Sequence, residues 1–241
     1  MRQLKISVIG NSVAMRVRPP QQYPYNNNYT YLLEKSLNDV QEDYSFQVNN
    51  LAYGGELVRE AIYNIDKIIR VYPNYYILNF GVNDASTREA PHWFYKLANT
   101  IVKNWYEYIF SGIYANLFKK YRPFFVKIRR YRSWISEKDF INQYDILVAT
   151  LIKDTNARII SLPINNANDR VEKQLPGSAA KYIKYNEHIK NITNKYNQIF
   201  IDTNSFINQS EYPDGIHYSH KGHKLLAIKL KEIILKDLKD Q

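Results

Sequence analysis

The chain has 241 residues, 45% of them hydrophobic and 23% charged, which is material for a sizeable packed core and excludes a disordered chain. It contains no cysteine, so disulfides and thiolate catalysis are excluded. Thirty-three Lys and Arg against 23 Asp and Glu leave a net charge of +10, which favours an anionic partner: nucleic acid, a membrane face, an acidic glycan or an acidic carrier protein.

Leu4 to Ile9 reads as a first strand, ending at Gly10-Asn11-Ser12. A polar loop over Arg16 to Asn28 leads to a predicted helix over Tyr29 to Leu37. Ser45 to Val48 is a short strand, followed by a loop ending in Gly54-Gly55. Leu57, Ala61, Ile65 and Ile68 then recur at helical spacing. Tyr75 to Phe80 is a strand closed by Gly81-Val82-Asn83-Asp84. Pro91 to Asp139 holds no obvious strand and is too long for an ordinary connection, so a helical insertion is expected around 91–138. Tyr144 to Lys153 continues as helix. Ala157 to Leu162 and Ile199 to Ile201 are further strands. Helices are predicted over Ala179 to Lys195 and Lys224 to Leu238.

Strands with little alternation, separated by helices, argue for a parallel sheet covered on both faces. Ligands of such folds sit beyond the carboxyl ends of the strands, where Gly10, Gly54-Gly55 and Gly81 fall. With neither a repeat nor a long linker, residues 1–241 read as one domain. The first apolar run is too short for a signal or a membrane span, and no later run is long enough to span, so a cytoplasmic location is the expectation.

The chemistry collects at the turns. Ser12 stands directly after the first strand near a helix start, where negative charge is favoured. Its hydroxyl needs a base, and His217 is suited to that near neutral pH. Asp214, three residues earlier on a Gly215 turn, can orient the imidazole and stabilise its charged form. An oxyanion would be met by the Ser12 N–H, the Gly55 N–H and the Asn83 amide. Singly these are ordinary turn and cap residues. A metal site on His217, His220 and His223 competes, but no further ligand completes it; no metal and no cofactor is expected.

Taken together, Gly10-Asn11-Ser12, Gly55, Gly81-Val82-Asn83-Asp84 and Asp214-Gly215-Ile216-His217 resemble the four signature blocks of the SGNH/GDSL hydrolases, in order and in placement, over about residues 4 to 230. The resemblance implies a three-layer α/β/α sandwich, flavodoxin-like, with a five-stranded parallel sheet. It makes Ser12 the nucleophile, Asp214 and His217 its triad partners, and Gly55 and Asn83 oxyanion-hole residues. Asn11 stands where the family usually has Asp, and Gly54 where serine is common.

Asn11, Arg16, Arg18 and Arg88 lie near these blocks and are candidate substrate contacts; the arginines suit a carboxylate or phosphate. From Lys119 to Arg132 the chain carries Lys119, Lys120, Arg122, Lys127, Arg129, Arg130 and Arg132, no acid, and interleaved aromatics. This segment is either a solvated amphipathic insertion, a lid, or a contact for an anionic membrane or another polyanion; an acidic carrier protein is a further option and nucleic acid the least favoured. Peripheral membrane association would follow from the membrane reading. The functional expectation is a serine esterase that removes a short acyl group, acetyl preferred, from a carbohydrate or lipid-linked substrate. An O-acyltransferase of polysaccharide or glycolipid biosynthesis using the same triad is the alternative, and a non-catalytic anionic-ligand binding module a third reading.

Overall fold

The structure is a computed structural model that describes residues 2–15, 27–40, 43–100 and 104–240. Five strands, β1 (Arg2–Gly10), β2 (Tyr44–Asn50), β3 (Tyr75–Asn79), β4 (Arg158–Ser161) and β5 (Ile199–Phe200), form one parallel sheet in the order β2-β1-β3-β4-β5. Ile6, Val8, Ile77, Leu78, Ile159 and Ile160 are fully buried, as strands covered on both faces require. The three-layer α/β/α arrangement expected from the family resemblance is the one observed.

The helices in chain order are α1 (Ser12–Met15), α2 (Tyr29–Asn38), α3 (Val58–Tyr63), α4 (Ile65–Ile69), α5 (Val82–Ala85), α6 (His92–Ala98), α7 (Trp105–Ile113), α8 (Arg122–Ile128), α9 (Glu137–Thr155), α10 (Asp169–Gln174), α11 (Ser178–Lys195) and α12 (His220–Asp240). α2 packs with α12, while α9 packs with α3, α4 and α11, making the two outer layers. α12 is locked to the sheet by Asp237, which accepts from the Tyr75 hydroxyl at 2.9 Å and from Arg158 Nε at 3.2 Å.

α12 starts four residues before the predicted Lys224 and α10 stands where no helix is predicted, while two further differences have local reasons. The periodic run after Gly55 is broken at Asn64, whose side-chain amide donates to the carbonyl of Glu60 and separates α3 from α4. α9 begins seven residues earlier than predicted because Ser136 accepts the Asp139 N–H at 3.1 Å, a cap that also suits the acidic first turn. It ends at Asn156 in a left-handed conformation.

The expected insertion is helical. Its neck is closed by an antiparallel bridge between Thr87 and Ser133 and by the Arg88 N–H donating to the Arg132 carbonyl at 2.9 Å. It has a small core of its own, in which Phe94 meets Phe110 and Phe118, and Tyr95 meets Tyr114.

Candidate active site

In this strand order the chain leaves β1 in both directions, which makes the carboxyl ends of β1 and β3 the switch point where ligands of such sheets bind. Ser12 follows β1 after the single residue Asn11. The Asn11 N–H donates to the Asn79 carbonyl at 3.2 Å, and the Ala14 N–H to the Asn11 carbonyl at 3.1 Å, turning the chain into α1 with Ser12 as its first residue. The backbones of β1 and β3 are so close here that a Cβ on Gly10 would collide with the Asn79 carbonyl, so only glycine fits.

His217 arrives from the far end of the chain. Its Nε2 lies 2.8 Å from Ser12 Oγ, and its Nδ1 lies 2.8 Å from Asp214 Oδ2. The other Asp214 oxygen accepts the N–H groups of Ile216 and His217 at 3.0 and 2.9 Å. Burial alone would raise the Asp214 pKa, but the His217 ring and these N–H donors outweigh it and hold the carboxyl well below its ordinary range. Asp214 is therefore a carboxylate that orients the imidazole, and the imidazole faces the serine hydroxyl. The arrangement provides for proton withdrawal from Ser12 and for stabilisation of the resulting imidazolium.

The loop that carries His217 is held from β4. Asn165 donates to the Ile216 carbonyl at 2.8 Å and accepts from the buried Tyr218 hydroxyl at 3.0 Å. Gly215 adopts φ +87°, and a side chain there would run into Asn168 and Val171. Sequence reasoning missed Asn165; an asparagine just past the carboxyl end of a strand was the available signal.

The three candidate oxyanion donors occupy neighbouring loops after β1, β2 and β3, and those loops are joined. The Tyr53 N–H donates to the Gly10 carbonyl at 2.9 Å. Asn83 Nδ2 donates to the carbonyl of Glu56, next to Gly55, at 3.2 Å. Asn83 Oδ1 accepts from Arg88 at 3.1 Å. The Arg88 guanidinium lies 3.9 Å from the centre of the Trp134 ring, and its carbonyl accepts from Arg129 Nε at 3.0 Å.

Several sequence expectations change in this light. Asn11 is not placed to touch substrate: it is fully buried, and its Oδ1 accepts the Val13 N–H at 3.0 Å. Arg88 is turned toward Asn83 and Trp134 and holds the amide, rather than reaching out as an anion receptor. Arg16 and Arg18 lie outside the described residues. Of the seven basic residues from Lys119 to Arg132, Arg122 pairs with buried Glu89 at 3.2 Å and Arg129 braces Arg88; Lys119, Lys120, Lys127, Arg130 and Arg132 are exposed. His223 is buried and its Nδ1 accepts the Tyr29 N–H at 3.2 Å, which takes it away from His217. Among the described residues no group of three or more His, Asp or Glu side chains is arranged to hold a metal ion.

A cleft of about 850 Å³ adjoins the Gly55 loop, lined by Tyr53, Gly55, Glu56, Tyr63 and His92 among others. Ser12 and His217 are not in its wall, so it flanks the reacting centre rather than containing it. Burial, reinforced by Glu60, raises the Glu56 carboxyl to about 8. Burial likewise raises Asp84 to about 7, against the Val58 N–H that donates to it at 3.1 Å. Among the described residues, no helix is long and apolar enough to cross a membrane.

Comparison with known proteins agrees with this geometry. The model of the GDSL-like lipase/acylhydrolase family matches residues 8–225, a span that contains all four blocks. No curated protein matches the chain by sequence. Among solved structures, it resembles a lipase/acylhydrolase from Enterococcus faecalis (TM-score 0.64, 16% identity, 97% of this chain and 95% of that one). It also resembles a catalytic mutant of Axe2, an acetylxylan esterase from Geobacillus stearothermophilus (TM-score 0.61, 19% identity, 93% and 90% covered). A third is LAE5, an α/β hydrolase enzyme from the metagenome of Lake Arreo, Spain (TM-score 0.62, 15% identity, 93% and 91% covered). These likenesses show the shared fold, and the family match spans the site itself: the chain belongs to the GDSL-like lipase/acylhydrolase family and is a serine ester hydrolase.

Proposed function

We propose that the enzyme removes a short acyl group, acetyl foremost, from a hydroxyl of a carbohydrate or lipid-linked substrate. The observation that carries the chemistry is the unbroken line from Ser12 Oγ through the His217 ring to Asp214, at 2.8 Å for each step. Ser12 Oγ attacks the acyl carbonyl while His217 Nε2 takes its proton. The oxygen that gains charge is met by N–H donors of Ser12 and Gly55 and by the Asn83 amide. As the tetrahedral species collapses, His217 returns the proton to the departing alcohol and leaves an acyl-Ser12. Water, deprotonated by the same ring, attacks that ester and regenerates the serine.

Support for a sugar alcohol comes from the flanking cleft. Tyr53 and Tyr63 stand exposed at its wall, and Asn64, Asn99 and Lys67 supply donors and acceptors beside them. Flat aromatic faces with spaced polar groups suit a sugar ring, which has apolar faces and a hydroxyl edge. The acetylxylan esterase among the structural relatives acts on an ester of this class. The test is labelling by an organophosphonate probe in wild type and Ser12→Ala, followed by a panel of acetylated and longer-acyl oligosaccharides. Probe capture that depends on Ser12 and hydrolysis that favours acetyl esters of sugars are the expected results. Equal turnover of long-chain acyl esters lacking any sugar would reject the substrate assignment.

A further inference from the structure

Nothing in the catalytic geometry explains the outer face of the insertion. α7 runs without a break into a π-helical turn over Tyr114–Lys119, so Trp105 to Lys119 is one helical rod. One side of it, Phe110, Tyr114 and Phe118, packs inward on Phe94 and Tyr95. A second side carries Trp105, Ile109, Ile113 and Leu117 at four-residue spacing, and these are exposed, Trp105 by 76% and Ile109 by 54%. α8 repeats the pattern. Its Val126 is buried and Phe125 meets Phe118, while Phe124 and Ile128 are 60% and 59% exposed. A helix apolar on two faces normally has both covered.

The charges around this face say what kind of cover it takes. No Asp or Glu occurs between Glu107 and Glu137, and Glu107 is buried. Lys119, Lys120, Lys127, Arg130 and Arg132 are all exposed on the same stretch of chain. A second copy of the chain docking face to face would bring these cations against themselves. Trp105 and Phe124 with aliphatic side chains, on a stretch of chain that carries Lys and Arg and no exposed acid, match the headgroup zone of an anionic bilayer.

We propose that the outer face of Trp105–Ile128 lies on an anionic lipid surface, with Trp105, Ile109, Leu117 and Phe124 entering the headgroup boundary and the exposed lysines and arginines facing lipid phosphates. The attachment is peripheral and independent of which ester the site cleaves. The test is sedimentation of the full chain with vesicles of phosphatidylcholine alone or mixed with phosphatidylglycerol, in low and high salt. Wild type should bind the mixed vesicles, and binding should fall with salt. Combined Lys119→Gln, Lys120→Gln and Lys127→Gln should weaken it by on the order of a hundredfold, as three cations removed from a charged surface imply. Leu117→Asp should weaken it by roughly tenfold through the apolar contact. Both variants should keep wild-type hydrolysis of a soluble aryl acetate and an unchanged thermal melt, which separates this claim from the esterase reading. Absence of vesicle binding by wild type overturns the proposal, as does binding that neither variant weakens. A dimer that Leu117→Asp dissociates, or retention by soluble polyglutamate without vesicle binding, assigns the face to a protein partner and equally overturns it.

Discussion

Ser12 is an ordinary alcohol until His217 faces it, and His217 can do so only because Asp214 holds the ring from behind. Ser12→Ala should therefore abolish probe labelling and reduce turnover by roughly a thousandfold or more. The loss of one half-buried hydroxyl should alter stability by no more than about 0.5 kcal/mol, read from a urea melt. Asn83 is set differently, since its amide is pinned at both ends, by Arg88 on Oδ1 and by the Glu56 carbonyl on Nδ2. Asn83→Ala should lower kcat by about a hundredfold, the size expected for one lost oxyanion donor. Arg88→Met removes the brace and leaves the amide itself in place. We expect a fall of roughly tenfold in kcat with KM nearly unchanged, because the amide would be misaligned where charge develops. A rise in KM at constant kcat would instead return Arg88 to the role of a substrate contact.

At the scale of elements, the alignment of Ser12, His217 and Asp214 depends on tight turns between regular pieces. The turn at Gly215 aims the Asp214–His217 segment at Ser12, with a left-handed backbone and no room for a side chain beside Asn168 and Val171. Gly215→Ala should cost about 1–3 kcal/mol of stability and a larger share of activity, measured by denaturation and by kcat on one protein preparation. Asn165→Ala should act in the same direction through the Ile216 carbonyl, with less loss of stability. These turns were legible in the sequence as glycine and asparagine punctuation, and the strands were legible as apolar runs. What punctuation did not disclose was the bracing between elements: Asn165 to the His217 loop, Arg88 to Trp134, Arg122 to Glu89. Each joins residues separated by tens of positions, and no local periodicity encodes such a contact.

For the molecule as a whole, buried carboxyls give opposing pH responses. Asp84 is raised to about 7 by burial, so its neutral form is the one the fold prefers. The stability it contributes is complete below the ordinary carboxylate range and disappears as pH rises toward and through 7, by at most about 1.4 kcal/mol per pH unit. Glu56, raised to about 8, acts in the same sense over a slightly wider window. Asp214 acts oppositely: its lowered pKa stabilises the fold above the ordinary carboxylate range, and that contribution is lost only in acid. Urea melts at pH 5 and pH 8 should show a decline for wild type that Asp84→Asn reduces, because the amide keeps an acceptor for the Val58 N–H and carries no charge. An identical decline in the variant would exclude Asp84 as its source.

The sequence by itself determined the order of strands and helices, the parallel class of the sheet, and the identity of the chemical groups, because alternation, helical spacing and turn chemistry are properties of neighbouring residues. Four short blocks in the right order were enough to identify the family that the whole-chain comparison then showed. Only the tertiary structure decided which polar residues stay open to solvent and which are turned to the protein. It turned Asn11 inward to a backbone N–H, set Arg88 behind Asn83, and spent Arg122 on Glu89, while leaving Lys119, Lys120, Lys127, Arg130 and Arg132 in the open beside an uncovered apolar stripe. Burial is the reason: a charge or amide takes its role from the partners that packing brings within reach, and those partners come from distant parts of the chain.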